Sequence, residues 1–119
     1  MFLQQRLEKY MENRNCTLLG VGPMSKNCVD ASIELAEQYK TPLMLIASRR
    51  QIDCEVFGGG YVENWTTKQF ADYVVEKDIN RNIILARDHG GPWQNELEKS
   101  QNMNLKDAMQ SAKVSYKAD

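Results

Sequence analysis

The sequence holds a single histidine, three prolines and three cysteines in 119 residues. One imidazole argues against a self-sufficient histidine-rich metal centre. The cysteines (Cys16, Cys28 and Cys54) are odd in number and lack metal-ligand spacing, which argues against a disulfide framework and a zinc finger. Long apolar runs are also missing: none approaches the roughly 20 residues needed to cross a bilayer. Neither charge dominates, and the formal net charge of -1 argues against general affinity for nucleic acid or an anionic membrane. The opening residues, Met1 to Arg6, read as an amphipathic helix and not as a signal peptide, so the expected location is cytoplasmic.

What is present is ordinary for a globular protein: 42% hydrophobic and 26% charged residues, at the length of one domain. Leu3, Leu7, Tyr10 and Met11 repeat at helical spacing and predict a helix over 2–14. Thr17 to Val21 is a short apolar strand stopped by Gly22-Pro23. Ser25 or Asn27 caps a helix reaching Tyr39, with Val29, Ile33 and Ala36 on one face. Pro42 to Ala47 is a second apolar strand. A long loop, Ser48 to Trp65, contains Gly58-Gly59-Gly60. Thr66 and Gln69 fit a capping box for a helix that buries Phe70, Tyr73 and Val74. Asn82 to Arg87 is a third strand. Asn104 caps a last helix whose Leu105, Ala108, Met109, Ala112 and Tyr116 share a period.

The order is a helix followed by β-α-β-α-β-α. The strands are apolar throughout, the pattern of a parallel sheet covered on both faces or ringed by helices. Right-handed crossovers bring the strand exits to one rim. That rim gathers Gly22 to Lys26, Ser48 to Gln51 and Asp88-His89-Gly90. Cys16 and Cys28 read as small buried hydrophobes, and Cys54, in a polar loop, as the more exposed thiol. Nothing in sequence activates Cys54 as a nucleophile.

The tetrad Arg87-Asp88-His89-Gly90 directly follows a buried strand. A carboxylate there can move protons and an imidazole can ligate a metal. Equally, Asp88 can cap the turn and His89 can bond locally. A catalytic zinc takes three protein ligands, and His89 has no visible helpers. Lys26, Arg49, Arg50 and Arg87 lie near the same rim. Arginines and glycine N–H groups can hold a phosphate; a flexible loop with solvated arginines is the plain alternative. Neither a P-loop nor a G-x-G-x-x-G after a strand occurs. Trp65 and Trp93 read as packing anchors.

Three stretches carry a family resemblance: Gly20-Val21-Gly22 before a helix rich in Ala and Glu; Ala47-Ser48 through Gln51-Ile52-Asp53 to Phe57-Gly58-Gly59-Gly60-Tyr61 and Trp65-Thr66; and Asn82 to Leu85 running into Asp88-His89-Gly90-Gly91-Pro92. In order and spacing they resemble the class II tagatose-bisphosphate aldolase family, in its non-catalytic barrel subunit. The resemblance implies a partial (β/α)8 TIM barrel, with 1–119 as a single incomplete domain holding the first three β/α units after an amino-terminal helix.

By the same resemblance the protein serves carbohydrate metabolism. It would support a catalytic aldolase subunit that cleaves tagatose 1,6-bisphosphate, a phosphorylated ketose, and would be oligomeric when complete. Asp88 matches the proton-transferring aspartate of catalytic relatives, and His89 matches their zinc ligand. Zinc would belong to a complete enzyme and not to this fragment. Ser48, Arg49, Arg50, Gly58, Gly59 and Gly60 are the expected substrate or phosphate contacts. The rivals are a zinc-dependent class II ketose aldolase acting alone and a non-enzymatic barrel fragment used for interaction.

Overall fold

In the computed structural model, which describes residues 3–13 and 17–119, three parallel strands form one sheet. They are β1 (Gly20–Val21), β2 (Leu43–Ser48) and β3 (Ile83–Asp88), ordered β1-β2-β3. Five helices accompany them: α1 (Leu3–Glu12), α2 (Lys26–Tyr39), α3 (Thr67–Lys77), α4 (Glu96–Ser100) and α5 (Leu105–Ala118). The protein is thus mixed α/β, and no described helix is long and apolar enough to cross a membrane. Cys16 lies outside the described residues.

Local chemistry sets the helix starts. Ser25 Oγ accepts from the Cys28 N–H, Asn104 accepts from the Asp107 N–H, and Thr66 and Gln69 form a reciprocal capping box. Such caps satisfy N–H groups that have no partner within the helix. Asp78, buried at the end of α3, accepts from the Asn82 and Ile83 N–H groups and so feeds the chain into β3.

The register pairs Leu43 with Ile83 and continues to Ser48 with Asp88, so both strands end level. Along β2, Leu43, Leu45 and Ala47 are buried, while Met44, Ile46 and Ser48 are half-buried. Val29, Ile33, Ala36, Phe70 and Val74 join the first set in one core. Each fully buried aliphatic side chain contributes about 1.5–3 kcal/mol. A sequential strand order with right-handed crossovers sends successive helices to the same face. Accordingly α2 touches both β2 and α3. The Tyr73 hydroxyl and Lys77 bind the Asp30 carboxylate across the α2–α3 seam; chiefly the Tyr73 bond holds Asp30 below its ordinary pKa.

Three sequence expectations change. The first strand is shorter than Thr17 to Val21. Gly20 pairs with Met44, so a longer ladder would run alongside Pro42, which has no N–H to give. The loop 48–65 contains a 3-10 turn at Glu55–Phe57 and a bridge from Asp53 to Thr66, and α4 is an added helix. Finally, α5 buries Ala108, Ser111, Ala112 and Ser115, leaving Leu105, Met109 and Tyr116 exposed. The serines turn inward because buried carboxylates accept their hydroxyls.

The cysteine expectation also reverses. Cys54 is buried and Cys28 is half-buried. Burial, and then the neighbouring Asp53 charge, raise the Cys54 thiol above its ordinary pKa. A thiol kept protonated is a poor nucleophile. Iodoacetamide at neutral pH should therefore label Cys28 well before Cys54 in the native chain, and label both at similar rates in urea. Peptide mass spectrometry reads the order.

Candidate functional site

The β2 exit is a tight turn in which Gln51 and Ile52 N–H groups donate to the Ser48 carbonyl. Gln51 folds back: its side-chain oxygen accepts from the Ser48 N–H, and its own N–H also reaches Ser48 Oγ at 3.3 Å. The next residue, Arg49, points inward with 0% exposure. Its Nε donates to Asp53 Oδ2 at 3.1 Å, and its Nη1 lies 2.6 Å from Glu98 Oε1. Nη1 also donates to the Gly91 carbonyl at 3.1 Å, and Nη2 to Ser111 Oγ. The Phe57 ring lies 5.2 Å from the guanidinium carbon.

Asp53 and Glu98 are themselves buried. Asp53 Oδ1 accepts from the Cys54 N–H and the Ser115 hydroxyl, and Oδ2 accepts from Asn95 as well as Arg49. Glu98 takes the Ser111 hydroxyl and the Trp93 N–H. One buried cation thus faces two carboxylates, and neutral donors stabilise the excess negative charge. This cluster joins the β2 exit, the β3 exit, α4 and α5.

The β3 exit carries Asp88 and His89. Asp88 Oδ1 accepts the His89 N–H at 2.9 Å, and Oδ2 lies 3.7 Å from His89 Nε2. Both side chains are more than half exposed. His89 sits at φ 46° and Trp93 at φ 58°, so left-handed non-glycine residues bracket the loop. Such conformations cost about 1–2 kcal/mol each and persist where surrounding contacts hold them. Trp93 is held twice, by its N–H to Glu98 and its indole Nε1 to the Met103 carbonyl.

The expected phosphate contacts divide. Arg50 keeps an exposed guanidinium, 3.4 Å from the exposed Glu96. It lines a cleft of about 310 Å³ with Phe57, Tyr61 and Glu96, between the glycine loop and the start of α4; neither Asp88 nor His89 lines it. Arg49 is committed to the interior, and Arg87 lies on the helix side, bonded to Asp119 and the Ile52 carbonyl. Gly58, Gly59 and Gly60 N–H groups donate to the Glu55, Cys54 and Trp65 carbonyls. Their donors therefore close the loop on itself. A Cβ on Gly60 would fall 1.9 Å from the Gln51 carbonyl oxygen, so glycine is required there by close backbone packing.

Among the described residues no group of three His, Cys, Asp or Glu side chains could hold a metal. Asp88 and His89 offer two donors, short of the three protein ligands a catalytic zinc takes. An apolar cleft of about 120 Å³ lies behind β3, beside Phe70 and Leu85, and does not include Asp88 or His89. Trp65 packs on Phe70 and Tyr73, as an anchor should. Glu98, Asn95, Ser111 and Ser115 escaped sequence reasoning. The only signal was the i,i+4 spacing of Arg49 with Asp53 and of Ser111 with Ser115.

Two alanine substitutions separate conformational from steric demand on the glycine loop. Gly58 has φ 78° and open space, so Gly58→Ala should cost about 1–2 kcal/mol from the left-handed backbone alone. Gly60→Ala must displace backbone and should cost more than Gly58→Ala, at least about 3 kcal/mol. Urea denaturation of the two variants checks the ranking. In comparisons with known proteins, no family model, curated protein or solved structure matches the chain.

Proposed function

We propose that the chain forms the first three β/α units of a (β/α)8 barrel and acts in sugar-phosphate metabolism. Its role on this reading is the supporting subunit of a cytoplasmic class II tagatose-1,6-bisphosphate aldolase, beside a catalytic partner. The observation that carries the reading is the level ending of β2 and β3 at Ser48 and Asp88. Barrel enzymes hold their sites at the carboxyl-terminal ends of parallel strands, and a rim at that end of three sequential parallel strands supports the reading. Asp88 and His89 stand exposed on it.

On this reading the Asp88 carboxylate accepts hydroxyls of the ketose, and His89 donates to or accepts from the same sugar. Arg50, with Ser48 nearby in the turn, meets a phosphate. Guanidinium groups bind phosphate well through paired N–H donors. The supporting role is preferred to a stand-alone zinc aldolase because Gly90-Gly91-Pro92 after the Asp-His pair resembles the non-catalytic subunit. A second reading, interaction without a small-molecule site, draws on the exposed Leu105, Met109 and Tyr116 of α5.

The single histidine makes the test direct. Titration with tagatose 1,6-bisphosphate should move the His89 imidazole NMR signals saturably. Arg50→Gln and Asp88→Asn should each weaken that binding about tenfold or more, as loss of a charged hydrogen bond does. Inorganic phosphate should compete. An unmoved His89 signal at millimolar sugar would remove the ligand-binding reading and favour interaction.

A further inference from the structure

We infer that Arg49 is a positioning residue for the β3 exit: from inside the protein it sets the path of residues 89–93 and thereby the place of the His89 imidazole. The inference rests on the reading of that exit as the ligand-binding rim. Three observations converge. Arg49 Nη1 donates to the Gly91 carbonyl, in the middle of the loop. The same atom pairs with Glu98, whose other oxygen accepts the Trp93 N–H at the loop's far end. Asp53, paired with Arg49 Nε, also accepts from Asn95 just beyond.

Both ends of the loop need such support. His89 and Trp93 both hold left-handed backbone that their side chains disfavour. Gly90, between Arg87 and Tyr116, could not carry a Cβ without contacts of 2.9 and 3.0 Å. The loop is therefore hemmed in on one side by packing and tied on the other by Arg49 and Glu98. An exposed imidazole on an unsupported loop would sample many positions, and each would weaken a directional contact to ligand. Arg49 suits the task because its planar fork spreads donors over separate nitrogens, Nε for Asp53 and Nη1 for Glu98 and Gly91, whereas the three donors of an ammonium share one nitrogen.

Arg49→Lys keeps the charge and removes the fork. In the wild-type chain the Trp93 amide should exchange slowly with solvent, and His89 should give one set of imidazole signals. In the variant, Trp93 protection should fall about ten- to a hundredfold, with the β2–β3 ladder changed less than about threefold. The His89 signals should broaden or split. A merely structural arginine would lower protection by one common factor across β2, β3 and α5 and leave His89 with a single set; that outcome overturns the inference.

Should Arg49→Lys fail to fold, Ser111→Ala applies the milder version. It removes the hydroxyl that bridges Arg49 and Glu98 and should loosen Trp93 selectively by about three- to tenfold. An unselective change, or none, overturns the inference equally. Neither readout needs a ligand, so the loop result is independent of sugar-phosphate binding, which the His89 titration reads separately.

Discussion

Arg49, without exposed surface, lies between Asp53 and Glu98, and the layout of the rim depends on that contact. Burying one cation with two carboxylates carries a desolvation penalty of several kcal/mol per ion. The geometry offsets it with neutral donors from Ser111, Ser115, Asn95 and two backbone N–H groups. No buried side-chain nitrogen or oxygen among the described residues lacks a partner. Removing one member would cost about 3–5 kcal/mol, whereas exchanging a whole set for apolar residues is often neutral. Stability alone therefore does not account for the cluster. Its distinctive effect is geometric: it fixes two strand exits, α4 and α5 relative to one another.

That constraint explains features that otherwise look unrelated. The serine face of α5 turns inward because Asp53 and Glu98 need hydroxyl donors, and Leu105, Met109 and Tyr116 are left outside as a consequence. Cys54, whose N–H donates to Asp53, is buried beside the cluster. The glycine loop folds tightly because Gly60 must pass against the Gln51 backbone, with Arg49 two residues before it. The exposed groups at the rim, Asp88, His89 and Arg50, thus project from a frame whose interior is polar but satisfied. Such a frame preorganises side chains without involving them in its own bonding.

The parts of the fold legible in sequence were those decided by neighbours along the chain. Thr66 and Asn104 act within their own first turns, so their caps could be read directly, while for α2 the structure chooses Ser25 over Asn27. The apolar runs before Ser48 and Asp88 announced β2 and β3, and the rim followed from parallel pairing. The burial of Arg49 was not legible, because an arginine after a strand is ordinarily solvated and its partner Glu98 lies far along the chain. The inner face of α5 was legible in part for the same reason: periodicity found the buried Ala108 and Ala112, while long-range hydrogen bonds, and not apolar character, chose its serines. The glycine triplet showed that a turn was needed but not that its N–H groups would be spent closing the loop.

The central claim is that the Arg49 guanidinium is locked in place from inside. Side-chain nitrogen NMR of the native chain tests it most directly, with the exposed Arg50 as internal control. The account predicts separate, slowly exchanging Nη–H signals for Arg49, since bonds to Glu98, Gly91 and Ser111 hinder rotation about each Cζ–Nη bond. Arg50 should give averaged signals. An Arg49 guanidinium that averages and exchanges as fast as that of Arg50 would contradict the account.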